Sequence, residues 1–202
     1  MPGTAVESNA LTALTRPLSQ AEREEMTALG ALPAFAATPP GHARGTSLTG
    51  RGVAKHAIQA AAVLNEAYNY SRPSSFSRGL RFDLGDKTML MISGTASVDE
   101  AGLTAHAGDF RAQLWRTYRN ITELLSSEGA TWHDIVRTTC YLRDIERDYR
   151  EFNEIRTAFF GWLRLDPLPA STGIQARLCR EDLLVEIEAI AVIGRWSAVD
   201  GR

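Results

Sequence analysis

The sequence has little cysteine and lacks any long apolar run. Its two cysteines, Cys140 and Cys179, have neither Cys-x-x-Cys nor Cys/His spacing, so no metal site is expected. Both lie in apolar stretches, where a free cysteine behaves as a small buried hydrophobic residue. No segment approaches the roughly 18–20 apolar residues of a membrane span, and no basic segment followed by an apolar one marks a secretory signal. A reduced, cytoplasmic protein without a membrane partner is therefore expected.

Lysine is also scarce, since only Lys55 and Lys87 occur. The arginines are spread along the chain and interleaved with acidic residues, and the formal net charge is −2. This balance gives no reason to expect nucleic acid or an anionic membrane as a partner. Apolar residues make up 44% and charged residues 23%, which is ordinary for a globular protein and allows one domain with an extension.

The composition predicts an N-terminal extension over residues 1–70 and a main domain over residues 71–197. Residues 1–50 are rich in Ala, Pro, Gly and Thr and show no strand-like alternation. Within them, Ser19 and Glu22 have the spacing of a capping box, which predicts a short helix to about Leu29. A second helix is predicted over residues 53–68, because its apolar residues recur on one helical face. The extension is thus expected to be partly helical and to dock on the main domain or on a neighbouring subunit.

The main domain alternates between strand and helix patterns. Period-two stretches and amphipathic stretches predict the order ββαβαββ, with strands at 75–84, 88–98, 135–142, 172–176 and 183–193 and helices at 109–128 and 148–163. Two helices cover only one face of such a sheet. The other face must be buried by association, so a closed, symmetric homo-oligomer is expected.

The last strand carries two carboxylates on a face that is otherwise apolar. Its inward face is uniformly apolar. The opposite face carries Glu186 and Glu188 next to each other, with Leu184, Ile190 and Val192 on either side of them. A carboxylate on a covered face must be hydrogen-bonded, paired or hydrated. Either glutamate could therefore act in catalysis, or form an ion pair at a subunit interface.

Several short segments of the main domain occur in a distinctive order. They are Met91–Thr95, Ser127–Ala130, Asp134–Thr139, Phe152-Asn153, Phe159-Phe160, Pro169-Ala170 and Leu183–Val192. Together they resemble the Rid superfamily, the reactive-intermediate deaminases of the YjgF/YER057c/UK114 group, over about residues 74–194. The resemblance implies an α+β fold of the chorismate-mutase-like type, a homotrimer, and ligand clefts between subunits. It also implies that no metal or organic cofactor is used.

The resemblance implies a set of site residues. The glutamate that positions the hydrolytic water falls on Glu186, the pocket serine on Ser93 and the pocket asparagine on Asn153. The tyrosine position is occupied by Phe76, which has no hydroxyl. Tyr70 could restore that hydroxyl, although residues 69–75 are also typical of a polar linker.

The chain departs from the family pattern where an arginine holds the substrate carboxylate, because Ser171 occupies that position. Thr172 follows it, and Gly173 falls where the family has a small polar residue or a thiol. Serine cannot replace a bidentate arginine. Arg78 and Arg177 are the candidate substitutes, and each could instead be an ordinary solvent-facing arginine.

These features predict a small-molecule enzyme, a hydrolase, deaminase or lyase acting on an imine, enamine or enol-ether metabolite. Glu186 would act on water, and substrate contacts would come from Ser93, Asn153, Ser171, Thr172, Gly173, Phe76, Arg78 and Arg177. The alternatives are a chorismatase-like hydrolase and a non-catalytic metabolite-binding trimer, which the absent arginine favours. Ribonuclease activity, attributed to some family members, is disfavoured by the acidic balance.

Overall fold

The computed structural model describes residues 16–30, 53–71 and 73–194. In chain order their helices and strands are α1 (Gln20–Gly30), β1 (Lys55–Ala57), β2 (Gly79–Leu84), β3 (Lys87–Ala96), α2 (Phe110–Ser126), β4 (Ile135–Leu142), α3 (Ile145–Leu163), β5 (Ala170–Gln175) and β6 (Val185–Gly194). Short 3-10 turns lie at Ala67–Asn69 and Trp132–Asp134. The strands form one sheet in the order β1-β2-β3-β6-β4-β5, in which only the β4–β5 pair is parallel.

The predicted order ββαβαββ and the α+β class are confirmed, with β1 added at the sheet edge. Leu84 pairs with Lys87 across a turn at Gly85-Asp86, and Gly85 has the positive φ (70°) that glycine adopts without steric cost. α2 begins after Asp109, whose side chain accepts a hydrogen bond from the Ala112 backbone. α3 begins three residues earlier than predicted, because Asp144 caps it in the same way.

The helix predicted over residues 53–68 is wrong. Lys55–Ala57 instead pairs antiparallel with β2, from Lys55↔Phe82 to Ala57↔Leu80. Ala60 and Leu64 then form an isolated bridge around a turn. Pairing with the free edge of β2 overrides the helical propensity of the alanines, which is a weak preference of a few tenths of a kcal/mol per residue.

The predicted helix of the extension is confirmed, and it docks on α2. Ser19 Oγ accepts a hydrogen bond from the Glu22 backbone, and Glu22 accepts one from the Ser19 backbone at 2.6 Å, as a capping box requires. Leu29 is fully buried, and Glu22 reaches the buried Arg111 of α2. The division between residues 1–70 and 71–197 remains a prediction, because α1 and β1 pack closely on the main domain.

The core lies between the helices and one face of the sheet. Aromatic rings fill its centre: Tyr118 and Phe159 stack at 4.4 Å between ring centroids, and Trp132 meets Phe159 edge-on at 5.0 Å. The inward residues of β6 close the core from the sheet side. Cys140 is buried there as expected, whereas Cys179 is exposed, so the expectation that both cysteines are buried is wrong for Cys179.

The opposite face of the sheet carries apolar side chains that nothing in the described chain covers. They are Met89, Met91, Ile174, Ile190 and Val192, with Met91 45% and Ile174 40% exposed. We call this surface the open face. Its apolar character is the reason to expect association, and the closed homo-oligomer remains a prediction.

None of the described helices is long and apolar enough to cross a membrane.

Candidate functional site

Glu186 lies near the start of β6, with its side chain on the open face against Gly94 of β3. A Cβ built on Gly94 would lie 1.9 Å from Glu186 Oε1, far inside van der Waals contact. Gly94 falls where the register between β3 and β6 shifts, between Ile92 and Thr95. The glycine and this irregularity together leave the space that the carboxylate occupies.

The environment of Glu186 favours its protonated form more than water does. Burial raises the pKa of its carboxyl, and the neighbouring Glu188 raises that pKa further, while the Arg78 guanidinium acts in the opposite direction. A carboxyl with a raised pKa holds a proton more readily than a glutamate in water does, which suits a group that takes up and returns a proton. Tyr141 lies on β4 directly across from Glu186, and its pKa is raised by burial, then by a hydrogen bond to Glu188 and by the charges of Glu188 and Glu186, so this tyrosine adjoins both carboxylates.

Arg78 is 6% exposed and brings a positive charge to the surroundings of Glu186. Its guanidinium donates hydrogen bonds to the Tyr70 hydroxyl and the Asn65 carbonyl. The same group lies 5.0 Å from the centroid of the Tyr70 ring and 5.2 Å from that of Phe76. Tyr70 thus places a hydroxyl beside Arg78, next to the Phe76 ring that has none.

Ser93 adjoins these residues on β3. Its hydroxyl donates to the Ser77 carbonyl at 2.8 Å, and its backbone N–H donates to the Arg78 carbonyl at 3.0 Å. These bonds tie the serine to the segment that carries Arg78. We call Tyr70, Phe76, Arg78, Ser93, Gly94 and Glu186 the glutamate cluster.

A second group surrounds Ser171 on β5. Ser171 Oγ accepts hydrogen bonds from Thr138 Oγ1 at 3.0 Å and from Arg156 Nη1 at 3.1 Å. Arg156 Nη2 also donates to Asn153 Oδ1 at 2.7 Å, and the guanidinium lies 5.0 Å from the centroid of the Phe152 ring. The structure therefore brings together the predicted residues Asn153 and Ser171 through an arginine of α3.

Other β5 positions extend this group. A Cβ on Gly173 would lie 3.6 Å from the Tyr149 ring, in ordinary contact. Tyr149 is 47% exposed. Thr172 points to the open face and accepts a hydrogen bond from Arg137 at 3.1 Å. We call Tyr149, Phe152, Asn153, Arg156, Ser171 and Gly173 the serine cluster.

Arg177, one of the two predicted substitute arginines, follows β5 and is exposed. Within the residues that the structure describes, it makes no hydrogen bond or ion pair and joins neither cluster.

The two clusters do not meet within one chain. Ser171 is in register with Thr138 and, through it, with Ala189, which is three residues from Glu186. Strand spacing then separates the Ser171 and Glu186 backbones by roughly 14 Å. The side chains also point to opposite faces of the sheet, Ser171 toward α3 and Glu186 toward the open face. A site that uses both clusters requires a second copy of the chain.

Sequence reasoning did not identify Arg156 or Tyr149 as site residues. Tyr149, Asn153 and Arg156 are spaced i, i+4 and i+7, which places all three on one face of a helix. Inspection of the helical neighbours of Asn153 would have found them. The register that puts this face beside Ser171 was visible only in the structure.

A cavity of about 580 Å³ lies away from both clusters, beside α1, and is lined by Arg16, Gly108, Asp109, Phe110, Arg111, Arg147, Asp148, Glu151 and Leu184. Its charged groups pair with one another, as in the two contacts of Arg147 with Asp148 at 2.6 and 2.7 Å. Among the described residues, no group of three or more His, Cys, Asp or Glu side chains could hold a metal ion.

Comparison with known proteins places this geometry in a family. A model of the family described as "Endoribonuclease L-PSP" matches residues 71–193. A RutC family protein of Pyrococcus abyssi is 30% identical over 102 residues, which cover 50% of this chain and 76% of the relative.

Solved structures agree with that match. The YjgF gene product of E. coli superposes with a TM-score of 0.55 at 27% identity, covering 68% of this chain and 98% of the other. E. coli TdcF, solved with bound serine, superposes with a TM-score of 0.53 at 24% identity, covering 65% and 98%. The chain therefore belongs to the Rid superfamily, the YjgF-type family whose model is described as endoribonuclease L-PSP.

Proposed function

We propose that the protein is a homotrimeric Rid-type hydrolase that releases ammonia from a small imine or enamine metabolite in clefts between subunits. The observation that carries the proposal is the Glu186 carboxylate, which is half-buried against Gly94 with a raised pKa and a positive charge nearby. Membership of a family of small-molecule proteins supports the proposal. The separation of the two clusters and the apolar open face support a cleft shared by two subunits.

The reaction needs one water and one group that moves protons. The water oxygen adds to the carbon of the C=N bond while Glu186 takes a proton from that water. Glu186 then returns that proton to the nitrogen, which gives a carbinolamine. Glu186 next carries the proton of the carbinolamine hydroxyl to the nitrogen, so that the C–N bond breaks, ammonia leaves and the ketone forms. Ser93 and the serine cluster would orient the substrate. These reaction steps require no metal or organic cofactor.

Glutamine at position 186 is expected to lower kcat by roughly 100-fold or more, because general acid–base groups contribute on that scale. The assay measures ammonia and 2-oxo acid from 2-iminobutyrate or 2-aminoacrylate generated in situ. In the wild type, activity should decline as the pH falls through the raised pKa of Glu186, since only the carboxylate can accept a proton.

Glu188→Gln is the matched control on the same face of β6. It should keep the plateau rate and shift the acid limb to lower pH, because removing a like charge lowers the pKa of Glu186. If the wild type does not accelerate ammonia release above buffer, the deaminase function is wrong. Equal rates for Glu186→Gln and wild type would remove Glu186 from the mechanism.

Ser171 at the arginine position favours a second candidate, a metabolite-binding protein without turnover. Serine is bound in E. coli TdcF, and small hydroxyls suit such binding. Saturable binding of serine or 2-oxobutyrate by calorimetry, with no ammonia release from any imine, would support this candidate over the enzyme.

A further inference from the structure

The guanidinium of Arg156 lies beside Ser171, the β5 position at which the family pattern has an arginine. Its two terminal nitrogens donate to Ser171 Oγ and Asn153 Oδ1, at 3.1 and 2.7 Å, and its central carbon lies 5.0 Å from the centroid of the Phe152 ring. Both acceptors are neutral oxygens, so neither bond neutralises the arginine charge. Guanidinium has five N–H donors, so the group retains donors for a ligand.

The surroundings of Arg156 are open to a small molecule. Ser171 and Asn153 are exposed, and Arg156 is half-buried. Ser171 and Gly173 have little or no side chain, and Tyr149 forms a wall at contact distance from Gly173. The Cys140 thiol lies 3.9 Å from Ser171 Oγ beneath this space, on the residue in register with Gly173. The family pattern has an arginine at position 171 and a small polar residue or a thiol at position 173. Here α3 supplies an arginine, Arg156, and β4 supplies a thiol, Cys140, beside these two positions.

We propose that Arg156, from helix α3, binds the carboxylate of the substrate in this protein. The inference rests on the proposed function and narrows its substrate to small metabolites that carry a carboxylate near the hydrolysable C=N bond. Arginine suits this role because its planar fork binds a carboxylate through two parallel hydrogen bonds. Phe152 and Asn153 orient that fork before the ligand arrives.

The two arginines predicted from sequence are less suited to this contact. Arg78 is buried, its guanidinium is bonded to Tyr70 and Asn65, and its charge acts on Glu186. Arg177 is exposed and joins neither cluster. The two arginines therefore have different roles. Arg78 stabilises the carboxylate form of Glu186, and Arg156 binds the carboxylate of the substrate.

Arg156→Gln is expected to weaken binding of 2-oxobutyrate, the product 2-oxo acid, by roughly 10- to 100-fold, since a charge-assisted hydrogen bond to carboxylate is lost. KM for 2-iminobutyrate should rise more than kcat falls. The neutral amide, 2-oxobutyramide, should bind wild type and variant alike. Arg150→Gln is the matched control, because Arg150 is an exposed arginine on the same helix that contacts Glu154 at 3.5 Å.

A rescue variant separates binding from a structural role. Arg156→Gln combined with Ser171→Arg should recover carboxylate binding, because the guanidinium then comes from the strand. The inference is overturned if Arg156→Gln binds 2-oxobutyrate as tightly as the wild type does. It is also overturned if the variant loses affinity for 2-oxobutyramide as much as for 2-oxobutyrate, or if the wild type binds neither compound. A different result separates the two proposals. If the wild type binds 2-oxobutyrate but releases no ammonia, and Arg156→Gln weakens that binding, the carboxylate site is supported and only the proposed deaminase function is refuted.

Discussion

Alanine at position 94 is expected to lower kcat/KM by roughly 100-fold, because a displacement of about 1 Å at a reacting group can cost that much. The added methyl would overlap Glu186 Oε1, at 1.9 Å. The carboxylate is the far end of a flexible side chain, so it can rotate away and leave the fold intact. The expected result is a protein with this lower kcat/KM whose melting temperature stays close to that of the wild type, checked by steady-state kinetics and thermal denaturation.

Gly161→Ala is the matched control for Gly94→Ala. Gly161 lies in α3, and a Cβ built there has no neighbour within 4 Å. Alanine should therefore keep full activity and stabilise the helix by up to about 1 kcal/mol. Full activity of Gly94→Ala would show that the position of the Glu186 carboxylate seen here is not the one that acts in catalysis.

Glutamine at position 22 is expected to lower the free energy of unfolding by about 3–5 kcal/mol, the usual cost of breaking a buried ion pair from one side. Glu22 is fully buried, and its Oε1 accepts a hydrogen bond from Arg111 Nε at 2.6 Å. Arg111 is 1% exposed, and neither of its terminal nitrogens has a hydrogen-bond partner. When the Glu22 carboxylate is removed, the buried Arg111 guanidinium keeps only the Glu151 carboxylate as an ion-pair partner among the described residues, at 3.6 Å from Nη1 to Oε1. Urea denaturation at fixed protein concentration measures the change.

Two further variants test the cause of that loss. Glu24→Gln changes an exposed glutamate of the same helix, which bonds only Gln20 among the described residues, and should stay within about 0.5 kcal/mol of wild type. Glu22→Leu combined with Arg111→Met should recover most of the stability, since an apolar pair of similar size avoids the unpaired charge. If Glu22→Gln is no more damaging than Glu24→Gln, the pair does not anchor α1.

Much of the fold follows from patterns that are local in sequence. The Gly85-Asp86 turn, the capping box at Ser19 and the period-two alternation of β6 each depend on residues a few positions apart. β1 could not be predicted in this way, because a three-residue strand shows no periodicity and exists through its pairing with Phe82 and Leu80.

The candidate site was only partly predictable for the same reason. Glu186 and Glu188 are equivalent in a period-two pattern, and only the packing of Glu186 against Gly94 of the neighbouring strand separates their environments. Arg156 was missed because its proximity to Ser171 depends on how α3 lies along β5. Pairing between distant elements thus decides which polar residues meet.

The central claim, a cleft built from the glutamate cluster of one subunit and the serine cluster of another, is tested most directly by mixing variants. At a 2-iminobutyrate concentration well below the wild-type KM, Glu186→Gln is expected to be impaired through its kcat and Arg156→Gln through its KM. In trimers co-expressed from equal amounts of both, about one cleft in four receives an intact Glu186 and an intact Arg156. The account predicts ammonia release at about a quarter of the wild-type rate, by the same estimate of random mixing. A rate no higher than the mean of the two separate variants would contradict it.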